Sequence, residues 1–322
     1  MILSCGEALI DMVPSVLPNG SPAYVPCPGG SPYNTAVAVG RLEVPVSFLG
    51  RLSHDFFGTM LVERLEKNHV RTDFLVRSNQ TSTVAFVKLE PGSEPQYIFY
   101  TEGSADRSLL PEDLPAKLPA EIRCILFGSI AMTMEPVAST IESFIRREGS
   151  RGKEAPVISV DPNVRPMMIR DHGAYVKRFE GWIREAAIAK ISEADYDFIY
   201  PGLGLEKSLL KTLDSGPQLA VTTLGKQGAM ALLKKTGGGI LRVSAPVIDI
   251  PMADTIGAGD TFHAAFLSWL ELHGKMSRSA LGSLSEGELY DVLFFANKAA
   301  SLVCSKQGAE PPTMAEMEAL TP

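Results

Sequence analysis

The chain has 322 residues, 21% charged and 45% hydrophobic, with a net charge of −7. That balance is ordinary for a folded globular protein, long enough for one large domain or two of usual size and for a core that needs no covalent staples. It offers no basic surface for nucleic acid, no stretch reaches the roughly 18 apolar residues of a membrane span, and Cys5, Cys27, Cys124 and Cys304 form no C-x-x-C pair and lie near no histidine at ligand spacing, which points to reduced thiols and a cytoplasmic protein.

In chain order, a short apolar run at 2–5 reads as a buried strand. The opening Met1-Ile2-Leu3-Ser4-Cys5-Gly6-Glu7 has neither the basic region nor the long apolar run of an ordinary signal peptide. Residues 11–25 are rich in proline and turn formers, with short β-like pieces. Gly29-Gly30-Ser31-Pro32-Tyr33-Asn34 then opens a helical pattern at 33–42, where Ser31 suits the cap and Pro32 the first helical position. The glycines permit close approach of a small polar ligand, and Asn34 offers a donor and an acceptor to hydroxyls. A plain strand-to-helix turn would carry the same letters.

A strand at 46–49 and a helix at 59–68 follow. Residues 83–89 and 96–101 form a hairpin pattern around Glu90-Pro91-Gly92-Ser93-Glu94-Pro95. Pattern alone leaves open whether this hairpin extends the main sheet or joins 11–25 in a small separate sheet that lids a site. Strands at 122–127, 157–160 and 219–223 alternate with helices at 135–147, 175–189, 258–273 and 286–304, and Gly237-Gly238-Gly239 reads as a hairpin loop between 229–233 and 240–243. The alternation predicts an α/β fold with a mostly parallel central sheet covered on both faces, and ligands beyond the carboxyl ends of its strands. Asp161-Pro162-Asn163-Val164-Arg165 stands at such an end. Asn163 and Arg165 are in phase to face a cleft, and Arg165 brings a planar fork for sugar or phosphate oxygens, unless it is the solvated arginine of a turn.

The most informative stretch is Asp254-Thr255-Ile256-Gly257-Ala258-Gly259-Asp260, running into Thr261-Phe262-His263-Ala264. A small-residue turn opens onto a helix, so backbone N–H groups and the helix dipole converge where an anion can sit. Gly257 and Gly259 let the backbone approach it. Asp260 would repel that anion unless it takes a proton from the group attacking it. An amide cradle and a base are the minimum for phosphoryl transfer to a hydroxyl, although on the turn alone Asp260 as a helix cap is an equal reading. Other kits are absent: there is no G-x-x-x-x-G-K-[ST], no G-x-G-x-x-G after the first strand, no H-E-x-x-H and no G-x-S-x-G.

Gly29-Gly30-x-x-x-Asn34 together with Asp254-Thr255-Ile256-Gly257-Ala258-Gly259-Asp260 resembles the ribokinase-like sugar kinase family. Gly50-Arg51-Leu52-Ser53-His54-Asp55-Phe56-Phe57-Gly58 is similar to that family's G-x-x-G-x-D-x-x-G region, and Gly6-Glu7-Ala8-Leu9-Ile10-Asp11 with Asp161 to Arg165 looks most like its bacterial fructokinase branch. The resemblance spans essentially the whole chain. It implies a ribokinase-like three-layer α/β/α domain built from 1–10, 26–82 and 102–322, with a small β lid from 11–25 and 83–101. It also implies an ATP-dependent sugar kinase, fructokinase first, with Asp260 as general base and the Gly257, Ala258 and Gly259 amides as the anion hole.

By the same resemblance, sugar would dock against Asp11, Gly29, Gly30 and Asn34, beneath lid residues such as Phe86, Tyr97 and Phe99. Arg107 and Arg165 are cations suited to the carboxylate that a 2-keto-3-deoxygluconate kinase would need to hold. Lys190, Thr223, Gly225, Gly228 and Asn297 match nucleotide-side positions. ATP brings Mg2+. Asp195 stands where the family often has a glutamate linked to that ion through water. Carbonyls around Asp254, Ile256, Val303 and Gly308 would hold K+ in members that use it, and Pro312 stands where a hydroxyl residue can contribute. A second copy could pair with an exposed lid edge. The reading from another class is a non-catalytic sugar-binding regulator on the same scaffold. It would be expected to have lost the base or filled the anion turn, and this chain has kept both.

Overall fold

A computed structural model describes residues 1–88, 96–306 and 308–320. The turn expected at 90–95 lies outside them. Short apolar runs between turn formers become the strands. β1 (Ile2–Cys5), β2 (Leu9–Val16) and β3 (Pro22–Gly29) lead into α1 (Ser31–Arg41). β4 (Val46–Ser53), α2 (Phe56–Lys67), β5 (Val70–Ser78), β6 (Thr83–Lys88) and β7 (Gln96–Tyr100) follow. Next come β8 (Cys124–Gly128), α3 (Val137–Gly149), β9 (Val157–Asp161), α4 (His172–Glu185), β10 (Ile188–Ser192), α5 (Glu193–Ile199), α6 (Leu205–Ser215) and β11 (Leu219–Thr223). The chain closes with β12 (Ala229–Lys234), β13 (Ile240–Ala245), α7 (Ala258–Leu272), α8 (Arg278–Gly282), α9 (Glu286–Cys304) and α10 (Met314–Ala319).

Among the described residues, the central sheet has the order β13-β12-β11-β10-β9-β8-β1-β4-β5. From β11 to β5 every pairing is parallel, and β12 and β13 add an antiparallel edge. Side chains alternate along these strands, yet both faces are apolar. Ile2 packs into one core with Val37, Phe48 and Phe266, and Leu3 into the other with Ile125, Phe144 and Phe179. Helices α1, α2, α7 and α9 cover the first face, and α3, α4 and α6 the second. This is the three-layer α/β/α arrangement the alternation predicted.

Three local expectations are corrected. The helix expected at 175–189 stops at Glu185, and Ile188–Ser192 is a central strand. Ala186-Ala187-Ile188-Ala189 suits either state, and parallel pairing of Ile188 with both Leu219 and Ser159 decides it. β4 continues past 49 to Ser53 because Gly50–Ser53 pair with Leu75–Ser78 of β5, a strand the pattern missed. α2 starts at Phe56 rather than 59 because Asp55 caps it, its Oδ1 accepting from Gly58 N at 2.7 Å.

The remaining strands form a second sheet, in the order β3-β2-β6-β7, separate from the first. The hairpin at 83–101 therefore does not extend the main sheet. Register puts Asp11 opposite Ala85 and Ala85 opposite Phe99, so these three share one face. Met12, Phe86 and Ile98 share the other. Phe86 accordingly does not sit with Tyr97 and Phe99. It packs edge-on against Tyr24 and Tyr100, at 5.1 and 5.8 Å between ring centroids.

Candidate active site

The turn before α7 is held from three directions. Asp254 Oδ1 accepts from Thr255 N and Ile256 N at 2.6 and 3.0 Å, and its Oδ2 accepts from Gly308 N at 3.0 Å. Gly257 occupies the left-handed region at φ 76, with Ala309 packed behind it. Ala258 N donates to Thr255 O at a long 3.3 Å. The first turn of a helix leaves its N–H groups without intrahelical acceptors, so the start of α7 is an anion-attracting surface.

Asp260 lies within the first turn of α7, 8% exposed. Its Oδ1 accepts from Ser31 Oγ at 2.6 Å and Asn163 Nδ2 at 3.5 Å, and its Oδ2 from Asn34 Nδ2 at 3.0 Å. Burial pushes its pKa above the usual carboxylate range. Ser31 and Asn34 pull it back, Asp161 pushes it up further, and Lys190 opposes that. A desolvated carboxylate held ionised by neutral donors is a stronger base than one in water.

Asp260 opens into a cavity of about 460 Å³ beyond the carboxyl ends of β1, β8 and β9. Glu7, Asp11, Gly30, Ser31, Asn34, Tyr97, Phe99, Ser129, Asn163, Arg165 and the turn from Thr255 to Asp260 line it. The second sheet supplies Asp11, Tyr97 and Phe99, so it covers this cavity. Asn34 Oδ1 is buried without a partner among the described residues, an acceptor free for a ligand hydroxyl. Burial raises Asp11 to about 7, with Asp260 adding to the rise and Arg165 opposing it. Arg165 Nη1 is steadied by Asn163 Oδ1 at 2.7 Å.

On the other side of the turn lies a larger cleft, about 690 Å³, lined by Thr223, Gly225, Lys226, Gly228, Asp249, Asn297 and the apolar Val247, Ile248, Ile250 and Phe262. Thr255, Ala258 and Gly259 belong to both cavities. Asn297 is 2% exposed and donates to Ala245 O and Pro246 O at 2.8 and 3.0 Å, which ties α9 to the end of β13. Beneath the shared wall, Lys190 Nζ pairs with Asp161 Oδ2 at 2.8 Å and would stand 3.2 Å from a Cβ at Gly259. Burial alone would raise Asp161 and lower Lys190. Their mutual attraction outweighs it, holding Asp161 at about 2 and Lys190 above its ordinary value. His263 is fully buried, its Nε2 2.8 Å from Ser159 Oγ, and burial lowers its pKa below the ordinary imidazole value, with Asp161 opposing.

Several expected residues take other places. Ser31 is not the cap of α1. Gly30, at φ 104, holds that position, and Ser31 turns its hydroxyl to Asp260. Gly29 does not line the cavity, and a Cβ there would overlap the Asp11 carboxylate, so its smallness makes room for that group. Arg107 lines a neighbouring cleft, donating to Glu135 O and Glu102 Oε2. Asp195 is spent on protein donors: its Oδ1 accepts from Val164 N, and its Oδ2 from Ser192 N and Oγ, capping α5. Among the described residues, no group of three or more His, Cys, Asp or Glu side chains could hold a metal ion. Glu7 and Ser129 reach the cavity from turns after β1 and β8; sequence reasoning gave neither a role, although Glu7 stands inside the Gly6–Asp11 stretch, while Ser129 carries no motif.

A model of the pfkB family carbohydrate kinases matches residues 1–316. A fructokinase of Rhizobium leguminosarum bv. trifolii is 35% identical over 291 residues, 90% of this chain and 85% of that one. The solved structure of a fructokinase with bound ATP from Xylella fastidiosa superposes with a TM-score of 0.87 at 27% identity, covering 98% of this chain and 96% of that one. A fructokinase from Vibrio cholerae O395, in fructose, ADP and calcium ion bound form, superposes with a TM-score of 0.80 at 25% identity over 98% and 95% of the two chains.

Proposed function

The chain belongs to the pfkB family of carbohydrate kinases, and from that premise we propose that it is an ATP-dependent fructokinase, transferring the γ-phosphate of ATP to the primary hydroxyl of D-fructose to give D-fructose 6-phosphate and ADP. Relatives that carry the fructokinase name support the acceptor. The observation that carries the reading is the shared wall: Thr255, Ala258 and Gly259 separate two cavities, and Asp260 faces the smaller.

Fructose enters the smaller cavity, where Asp11, Asn34 and Gly30 meet its hydroxyls and Tyr97 and Phe99 exclude water from above. ATP lies along the larger cleft, its base toward Asn297 and its phosphates past Thr223, Gly225 and Gly228 toward the start of α7. Asp260 removes the proton of the attacking hydroxyl, and the Gly257, Ala258 and Gly259 amides, with Lys190 below them, meet the charge that grows on the transferring phosphoryl oxygens. A metal ion arriving with ATP neutralises phosphate charge. We take that ion to be Mg2+, with Asp195 reaching it through water only if it releases one of its present donors. Carbonyls of Asp254 and Ile256 are the candidate seat for K+. The division into a large domain and a lid that closes over sugar follows the two sheets, and the exposed lid face bearing Tyr24, Ile98 and Tyr100 is the candidate seat for a second copy. No helix of the described residues is long and apolar enough to cross a membrane, which is compatible with a cytoplasmic enzyme.

Arg165 in the acceptor cavity favours one rival acceptor, the sugar acid 2-keto-3-deoxygluconate. Arg107, in a separate cleft, gives that rival no help. A turnover panel with ATP and Mg2+ over fructose, 2-keto-3-deoxygluconate, ribose and adenosine separates the readings. Fructose should show the highest kcat/KM. Preference for the sugar acid would transfer the assignment, and background transfer to all four with fructose still bound would leave a binding regulator.

A further inference from the structure

Glu7 is 1% exposed at the turn after β1, lines the acceptor cavity, and has no part in the mechanism above. Its Oε1 accepts from Ser31 N at 3.2 Å and its Oε2 from Ala131 N at 3.1 Å, and Ser129 also bonds to it. Ser31 is the first residue of α1, so its N–H has no acceptor within the helix. A carboxylate from a distant turn supplies one, and the same carboxylate fastens the short helical turn Ile130–Thr133.

We propose that Glu7 is a positioning residue: its carboxylate clips the start of α1 to the turn Ile130–Thr133 and so aims the Ser31 hydroxyl at Asp260. This role for Glu7 rests on the reading of Asp260 as the base. Ser31 Oγ is the shortest donor to that carboxylate, at 2.6 Å. If the start of α1 slackens, Asp260 loses a bond that favours its ionised form, while the other charges around it stay in place: Asp161 from β9, Lys190 from β10 and Asp11 from β2. Glu7 itself is faced by Asp106, and burial lifts it to about 7. A glutamine there keeps the size but turns a donor toward one of two N–H groups, so only one of them stays satisfied.

The test is the acid limb of kcat against pH, at saturating fructose so that the titration of Asp11 in KM does not enter, for wild type, Glu7→Gln, Ser31→Ala and the double variant. A base must be deprotonated to act, so a raised pKa moves the limb to higher pH. A hydrogen bond to a charged group corresponds to about one pH unit. Each single variant should move the limb up by about that much, and the double variant no further than Ser31→Ala alone. An unmoved limb in Glu7→Gln overturns the proposal, as do additive shifts. A downward shift also overturns it, because Glu7 would then be the titrating group. If Glu7→Gln does not fold, Glu7→Asp, which draws the carboxylate back by one methylene, carries the same comparison. Asp260→Asn in the same series separates the two failures. If it is inactive while the Glu7→Gln limb is unmoved, only the role of Glu7 falls, and if it is fully active the base falls first.

Discussion

Gly257→Ala should slow phosphoryl transfer while leaving fructose binding nearly untouched, and the size of the effect follows from two features of the turn. The residue sits at φ 76, where a side chain costs about 1 kcal/mol or slightly more. Its new Cβ would also lie 2.9 Å from Ala309 Cβ and 3.3 Å from Ala309 Cα. The first cost is strain alone. The second forces the turn away from the segment behind it by a few tenths of an ångström, which carries the amides off the position of the phosphoryl oxygens. Losing one well-placed donor of this kind typically lowers kcat by about a hundredfold. Gly274→Ala is the matched control: its φ is 68 and nothing lies within 4 Å of a Cβ there. Gly257→Ala should lower Tm at least as much as Gly274→Ala, since it adds the Ala309 overlap to the same strain, and only Gly257→Ala should lower kcat, with the KM for fructose within about twofold of wild type. The assay is coupled ADP release at saturating fructose beside thermal unfolding of each variant. A kcat for Gly257→Ala equal to that of Gly274→Ala would refute the anion-hole reasoning.

Gly29→Ala should raise the KM for fructose about tenfold or more with a smaller change in kcat, because its methyl displaces the Asp11 carboxylate; an unchanged KM would remove Asp11 from sugar binding. The KM for fructose should rise as pH falls through about 7, where Asp11 takes up a proton and loses acceptor capacity, and Asp11→Asn should show a flat profile. Stability has a definite sign at the same site. The folded pKa of about 7 exceeds the unfolded value of 3.8, so the folded state binds the proton more tightly and stability falls as pH rises between the two; Asp11→Asn should remove that slope from the Tm profile.

How much was legible in the sequence varied with the range of the interaction. The turn from Asp254 to Asp260 is local: glycines, small residues and the start of an apolar helix are contiguous, and α7 begins at Ala258 as that pattern requires. The phase of Asn163 and Arg165 is also local, and both line the acceptor cavity. Strand parity could have separated Phe86 from Phe99, since Phe99 pairs with Ala85 and Phe86 with Ile98. β10 was lost inside a helix because its pairing partners lie some 30 residues away on each side in sequence. Ser31 reads as a cap wherever serine precedes proline at a helix start. Only the arrival of Asp260 from 229 positions later redirects its hydroxyl. Glu7 stands in the quoted Gly6–Asp11 stretch, but nothing local signals what it holds, because its partners come from the start of α1 and from the turn after β8.

The most direct measurement is turnover of Asp260→Asn with fructose and ATP, read beside calorimetric binding of fructose to the same protein. With its amide oxygen in the Oδ2 place the asparagine still accepts from Asn34, and the Ser31 hydroxyl can turn to accept from its NH2, so the cavity should keep its shape. With Asp260 as the base, kcat should fall about a hundredfold or more with fructose affinity within a few-fold of wild type. Turnover at the wild-type rate would contradict that role.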